Sequence, residues 1–404
     1  MSQPSERVSA PRRASLDALL HYAWDAESFT AGEAMPAVGL TRSTTIDALD
    51  ELVERALIRE LPNAREVGDY SKGRPARRFE FCADAGVVVG LDAGRAHVTT
   101  TIADLRGAVL AREHLMLDDD SISRRRAVMA TAVDDALGVA GLERGDVIAL
   151  CAGVPAPVDS EGVSPTHHDG FWQRMNPDLI DMFRAWVPLV RVENDASLAA
   201  VAEGSLGVAR GCRDYVTLLA GERLGAGVVV DGRLLRGAHG GVGEMIAFDQ
   251  VSGVEGAWGL GYRAAEWARE AIAAGEVPLE HPLVGIPPSE VTGRVVFELA
   301  ASGDEFALTI VDRVGQMLAR VTGVFASLLD PRMIVISGAV SAGIADVLVA
   351  ARAGLSGALH VPPPELVASN LGGDVVSTGA VSAAIELARS GILALTPLER
   401  SLAV

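Results

Sequence analysis

The sequence predicts a multi-domain α/β protein: a small helix-turn-helix unit with a two-stranded wing, followed by a two-lobed α/β duplication. Three observations carry this reading. Short amphipathic helices split by a glycine-bearing turn occupy the first 55 residues; from Gly86 onward apolar strands ending in glycine turns take over; and a strand series beginning near Val87 has a counterpart beginning at Asp214. A length of 404 residues suits two or three domains. The boundaries fall at 1–85 for the small unit and 86–404 for the rest. Within the latter, one lobe spans roughly 86–195 plus a C-terminal helix, and the other 196–375.

The small unit is read first. Residues 14–26 place Leu16, Leu19, Leu20 and Ala23 at helical spacing. Thr30 is a plausible N-cap for a helix over Ala31–Ala37. Val38-Gly39-Leu40 makes a short turn, and Thr41 caps the next helix, whose buried stripe is Ile46, Leu49, Leu52 and Val53. Its first turn offers Arg42, Ser43, Thr44 and Thr45, the position from which the second helix of a helix-turn-helix meets base edges. Leu57–Leu61 and Arg77–Phe81 then alternate as two strands around the polar segment 62–71. Lys72, Arg74 and Arg77 on the descending side of this wing are placed to reach phosphates or a narrow minor groove. Double-stranded operator DNA is therefore the expected partner. The alternatives are an ordinary three-helix cap and a solvated charge cluster. The two features occurring together and in order favour DNA.

The overall charge runs against this, since the chain carries a net −18. Residues 1–85 hold 11 Lys/Arg against 14 Asp/Glu, but Lys72, Arg74, Arg77 and Arg78 cluster within seven residues. An acidic remainder would leave DNA contact to the small unit. Apolar residues make up 49% and charged residues 22%, the balance of a soluble globular protein. No apolar run approaches the ~20 residues of a membrane span, and the N-terminus lacks the apolar core of a secretory signal. Cys82, Cys151 and Cys212 are widely spaced in apolar surroundings and read as buried free thiols. The expected compartment is the cytoplasm.

The larger part begins with Val87–Gly94, an apolar strand running into Asp92 and a glycine turn. Strands at 97–104 and 107–113, a helix at 121–137 and a strand at 147–152 follow. The second series has strands at 215–220, 225–230 and 233–236, then helices at 256–274, 288–302 and 304–329, a strand at 333–337 and a helix at 339–355. Such a duplication leaves a cleft between two lobes.

Three stretches in this frame are specific: Glu193–Ala200, Arg236–Glu244 and Asp330–Gly338. With the Gly73-Arg74-Pro75 wing, they make the chain resemble the ROK family, which groups sugar kinases with transcription repressors. The resemblance implies an actin-like sugar-kinase fold. It also implies a sugar or sugar-derivative effector, for which the candidate contacts are Asn194, Asp195 and Glu244. The segment 165–174 lies where the family forms one wall of its cleft and adds His168 and Trp172 as candidates. Asp195 matches the family's catalytic base; it could equally cap the Ala-rich helix that follows.

Other positions depart from the family's pattern. The first phosphate turn, Asp-x-Gly-Gly-Thr in the kinases, is Asp92-Ala93-Gly94-Arg95-Ala96. The second, resembling Gly-Thr-Gly-Ile-Gly, is Gly221-Glu222-Arg223-Leu224-Gly225. The family's zinc cysteines are replaced within 250–257, and the Glu expected after them falls on Gly259. The expectation is therefore a regulator that is not an enzyme, with no catalytic residues, no cofactor and no metal, acting as a homodimer or homotetramer to read paired half-sites. An active carbohydrate kinase with a DNA-binding appendage, and an effector-independent DNA-binding protein, are the alternatives.

Overall fold

The computed structural model describes residues 10–62, 76–355 and 362–395. The N-terminal head contains α1 (Ala10–Asp25), β1 (Phe29–Thr30), α2 (Ala31–Val38), α3 (Arg42–Glu54), β2 (Ile58–Glu60) and β3 (Arg78–Phe81). Its helices start and stop where their caps dictate. Thr30 accepts from Glu33 N while the Glu33 side chain returns to the Thr30 backbone, a reciprocal box that fixes the start of α2. Gly39, at φ 67°, ends α2 in the left-handed conformation that glycine adopts without strain. Thr41 then caps α3 by accepting from Thr44 N. β2 and β3 pair antiparallel as the wing, and β1 adds a third strand on the far side of β3 that the sequence reading did not include. Lys72 and Arg74 lie outside the described residues.

Lobe I is a five-stranded sheet of β4 (Val87–Asp92), β5 (His97–Asp104), β6 (Val109–Met116), β7 (Val147–Val154) and β8 (Leu189–Asn194), in the order β6-β5-β4-β7-β8. α4 (Ile122–Ala140) connects β6 to β7, while α5 (Phe171–Met175) and α6 (Leu179–Arg184) precede β8. α7 (Asp195–Ser205) leads into lobe II. There β9 (Tyr215–Ala220), β10 (Leu224–Val230), β11 (Arg233–Leu235), β12 (Met333–Ser337) and β13 (Glu365–Ala368) run β11-β10-β9-β12-β13. Each sheet has the same order counted from its own first strand, with antiparallel hairpins on one side and parallel strands on the other, so the duplication is topological. α8 (Leu260–Ala273), α9 (Gly293–Ala301), α10 (Glu305–Leu329) and α11 (Ala345–Leu355) cover lobe II, and α12 (Val375–Gly391) returns to lobe I. The strands β8 and β13 and the short helices α5 and α6 are additions to the sequence reading. The strands β4 and β7, paired in parallel within the lobe I sheet, are buried along their whole length, as parallel central strands must be.

The head is not tethered loosely. One apolar cluster runs from Leu16, Leu19 and Trp24 of α1 through Phe79 and Phe81 to Ala380 and Ala384 of α12. Trp24 stacks on Phe81 at 4.3 Å and donates its Nε1 hydrogen to the Leu105 carbonyl at 3.0 Å. Arg389 of α12 pairs with Asp25 and donates to the His21 carbonyl, while Arg55 reaches the Leu393 carbonyl. Head, lobe I and C-terminal helix therefore share a core. Among the described residues no helix is long and apolar enough to cross a membrane.

Candidate functional site

Two surfaces bring the predicted site residues together. The first is the N-terminal end of α3. Arg42 and Ser43 are exposed and Thr44 is half-buried, and the hydroxyls of Ser43 and Thr44 lie 3.3 and 2.9 Å from the Thr41 hydroxyl. Thr45 corrects the sequence reading. It is fully buried and its hydroxyl donates to the Thr41 carbonyl at 2.9 Å, because the helical period turns the fourth residue of α3 toward the head's core. Ile46, assigned to the buried stripe, is 36% exposed for the same reason. Arg77 sits at the start of β3 and is already engaged: its Nε donates to Glu60 at 2.9 Å and its Nη1 to Asp50 at 3.0 Å. Its guanidinium also lies over Phe79, 5.0 Å from the ring centre. A phosphate contact through Arg77 has to displace those carboxylates.

The second surface is the cleft between the lobes. β8 delivers Asn194 and Asp195 to the start of α7. Asn194, not Asp195, is the cap: its Oδ1 accepts from Ser197 N at 3.0 Å, and its Nδ2 donates to the Ala156 carbonyl at 3.2 Å. Asp195 stands in the first turn, half-buried, with Oδ1 accepting from Ala196 N at 2.7 Å. Burial pushes its carboxyl up to about 7, against the backbone hydrogen bond, and the negative charges of Asp92 and Glu244 raise it further. Glu244, an exposed residue at the cleft, is raised too by the desolvation its carboxyl meets there, offset by Arg223 and His167 nearby. Its backbone position depends on Gly243, at φ 91°, where a Cβ would lie 1.7 Å from the Ala226 carbonyl oxygen. Asp92 is buried at the end of β4 and receives His97 Nε2 at 3.3 Å, which holds that imidazole above its usual range.

Asp92, Asp195 and Glu244 thus converge, an arrangement suited to accepting hydrogen bonds from a polyhydroxylated or cationic ligand. Of these, Asp92 was not assigned in the sequence reading; the convergence of charge reveals it. The wall segment contributes differently from expectation. His168 is exposed and faces His167, with ring centres 4.2 Å apart, whereas His167 is the imidazole whose charge reaches Glu244. Trp172 is half-buried, 4.5 Å from the His167 ring and packed against the lobe I core, so it braces the wall as well as lining it. Donor atoms of His167, His168 and Asp169 lie within 4.8 Å of one another, so these side chains could approach a metal ion. His167 Nδ1 is already bonded to Asp169, whose oxygen also accepts from Phe171 N at 2.8 Å.

The two glycine turns face each other across this cleft. Arg95 Nη1, after β4, lies 3.0 Å from both carboxylate oxygens of Glu222, between β9 and β10. Beneath the first turn Arg125 is completely buried and donates to the carbonyls of Ala93, Gly94 and Arg95 at 2.9 to 3.2 Å. Burial lowers its affinity for its proton to about 10.

The sequence model of the ROK family matches residues 88–385. The chain belongs to the ROK family. It is 25% identical over 301 residues, 72% of each chain, to the DNA-binding transcriptional dual regulator NagC of Escherichia coli K12. It is 26% identical over 270 residues to a glucokinase of Halalkalibacterium halodurans, covering 63% of this chain and 80% of that one. Among solved structures, a ROK family transcriptional regulator described as a homolog of the E. coli MLC protein superposes with a TM-score of 0.72 at 19% identity. That match covers 96% of this chain and all of the other, a likeness of fold that includes the head. A ROK glucokinase from Streptomyces griseus, in complex with glucose and AMPPNP, superposes with a TM-score of 0.59 at 25% identity over 74% of this chain and all of that one.

Within the ROK frame the departures have physical causes. A side chain at position 259 is excluded because its Cβ would lie 1.9 Å from the Gly221 carbonyl oxygen, so the Glu expected there has no room. Where the family's cysteines would stand, the loop before α8 is held by protein groups. Arg263 donates to the carbonyls of Val254 and Glu255, and Trp258 stacks on Tyr262 at 4.6 Å. Arg223 lies over the Trp258 ring at 4.9 Å.

Proposed function

We propose that this ROK-family chain is a DNA-binding transcription regulator, a repressor of carbohydrate-related genes, whose sugar-kinase-like cleft senses a ligand without catalysing phosphoryl transfer. The observation that carries the reading is the head. A capped α3 presents Arg42, Ser43 and Thr44 outward while α1 and the wing are fused into the core of lobe I, so a change in the lobes is transmitted to the reading helix. The cleft's carboxylates Asp195, Glu244 and Asp92, with His167, His168 and Trp172 along the wall, suit a sugar or sugar derivative. Loss of kinase chemistry is supported by the two turns. Their Arg95–Glu222 pair fills with two long side chains, one of them a carboxylate, the space where phosphates would otherwise approach backbone glycines. Reading of paired half-sites calls for a homodimer or homotetramer.

A fluorescence-anisotropy titration against the chain's own upstream DNA tests this, with Arg42→Ala and Arg74→Ala as controls. The expected result is salt-dependent, sequence-specific binding that both substitutions weaken; equal affinity for unrelated DNA overturns the reading.

One observation favours a second reading, an active carbohydrate kinase carrying a DNA-binding head. Asp195 is held near neutrality in the cleft, the range in which a general base works best. Sugar-dependent ATP consumption that Asp195→Asn abolishes establishes this reading, and its absence across a panel of hexoses and amino sugars removes it.

A further inference from the structure

We propose that Arg95 and Glu222 form a charge latch between the two lobes, at the solvent-open side of the cleft and opposite a stiff hinge at its base. Among the described residues, two of the ion pairs between the lobes differ in kind. Arg236, after β11, grips Glu193 of β8 through three bonds of 2.7 to 3.1 Å, with the Glu193 side chain only 8% exposed. α7 lies beside this pair, packed on α12 of lobe I and on β9 and β10 of lobe II. That end of the cleft is held by three bonds on a buried carboxylate, with Arg236 itself 38% exposed, and acts as the hinge. Arg95 and Glu222, by contrast, are 59% and 54% exposed. An ion pair in water is easily exchanged for hydration and is screened by salt.

Both ends of the latch are mounted on rigid backbone. The Arg95 turn is braced from below by the buried Arg125, which occupies three successive carbonyls. Glu222 is held by its own carbonyl, which accepts from Gly259 N at 2.9 Å, and by the neighbouring Arg223 stacked on Trp258. Because neither turn drifts freely, the side-chain pair responds to the spacing of the lobes themselves. The latch also accounts for two departures from the family's turns at once: the Arg in one turn and the Glu in the other are partners. An exposed pair shifts a closed–open equilibrium by up to about 5-fold, enough to bias the cleft without locking it.

The test is amide hydrogen exchange on the full-length protein, read at Gly94–His97 and at Glu222–Gly225. It compares the wild type with Arg95→Glu, Glu222→Arg and the double exchange that swaps the charges, with thermal melts confirming that each variant is folded. Each single reversal is expected to raise exchange at both turns by about 2- to 5-fold, and the swap to restore it. Single reversals that leave exchange at the wild-type level, or a swap that exchanges like either single variant, overturn the latch. Glu222→Gln supplies the same reading without repulsion. Its exchange rises at low salt and matches that of the wild type at about 0.5 M NaCl, where screening opens the wild-type pair as well. A difference that persists unchanged at high salt assigns Glu222 a packing role instead.

Discussion

Replacing Asp195 by Asn should stabilise the protein, and by an amount that depends on pH. The native carboxyl is pushed up to about 7 from 3.8, because it is partly withdrawn from solvent in the cleft, beside Asp92 and Glu244. A proton affinity raised that far corresponds to about 4 kcal/mol. The sign follows from proton counts. Below about pH 4 both folded and unfolded chains hold the proton and the group contributes nothing. Between about 4 and 7 the unfolded chain ionises while the folded one keeps its proton, so stability falls as pH rises. Above 7 the folded state bears an ionised, poorly solvated carboxylate and the full penalty applies. Asn preserves the shape and the acceptor that meets Ala196 N at 2.7 Å, and it cannot ionise. Urea unfolding of wild type and Asp195→Asn at pH 5 and pH 8 measures the effect. The variant should gain up to about 4 kcal/mol at pH 8 and progressively less toward pH 4. A gain independent of pH, or a loss at pH 8, refutes the assignment of burial and like charge as the cause.

Three further outcomes follow from named contacts. Arg42→Ala should weaken specific operator binding by about 1–3 kcal/mol in an anisotropy titration while leaving the melting temperature unchanged, because the side chain is exposed. Trp24→Ala should cost about 3–5 kcal/mol and split the calorimetric transition in two, since it removes the bond to the Leu105 carbonyl that joins head to lobe together with the stack on Phe81 inside the head. Trp24→Phe, keeping the ring but not the donor, should cost about 1 kcal/mol and leave a single transition. Gly259→Ala should destabilise lobe II by about 1–3 kcal/mol in thermal melts, because its Cβ meets the Gly221 carbonyl oxygen, and a normal melt removes that explanation for the missing Glu.

The sequence by itself determined the elements whose signals are local. The caps Thr30 and Thr41, the Gly39 turn and the alternation of β3 set the head within one or two residues, because a cap or a strand period is decided by neighbours in the chain. The duplicated strand series and the stretch from Glu193 to Ala200 fixed the α/β frame and located Asp195. Tertiary structure decided whatever depends on which partner arrives from elsewhere. Thr45 reads as one more polar residue in an exposed turn, and only the packing of α3 on the head shows it buried. Arg77 looks free until Asp50 and Glu60, 27 and 17 residues away, close on it. Asp92 gained its place beside Asp195 from the strand order β4-β7-β8 within lobe I, and His167 its place beside Glu244 from the meeting of the two lobes. Arg95 and Glu222, 127 residues apart, each read as a defect in a glycine turn; brought within 3.0 Å they become a pair. Charge acts through space while the sequence records only order along the chain, so the elements were legible and their electrostatic partners were not.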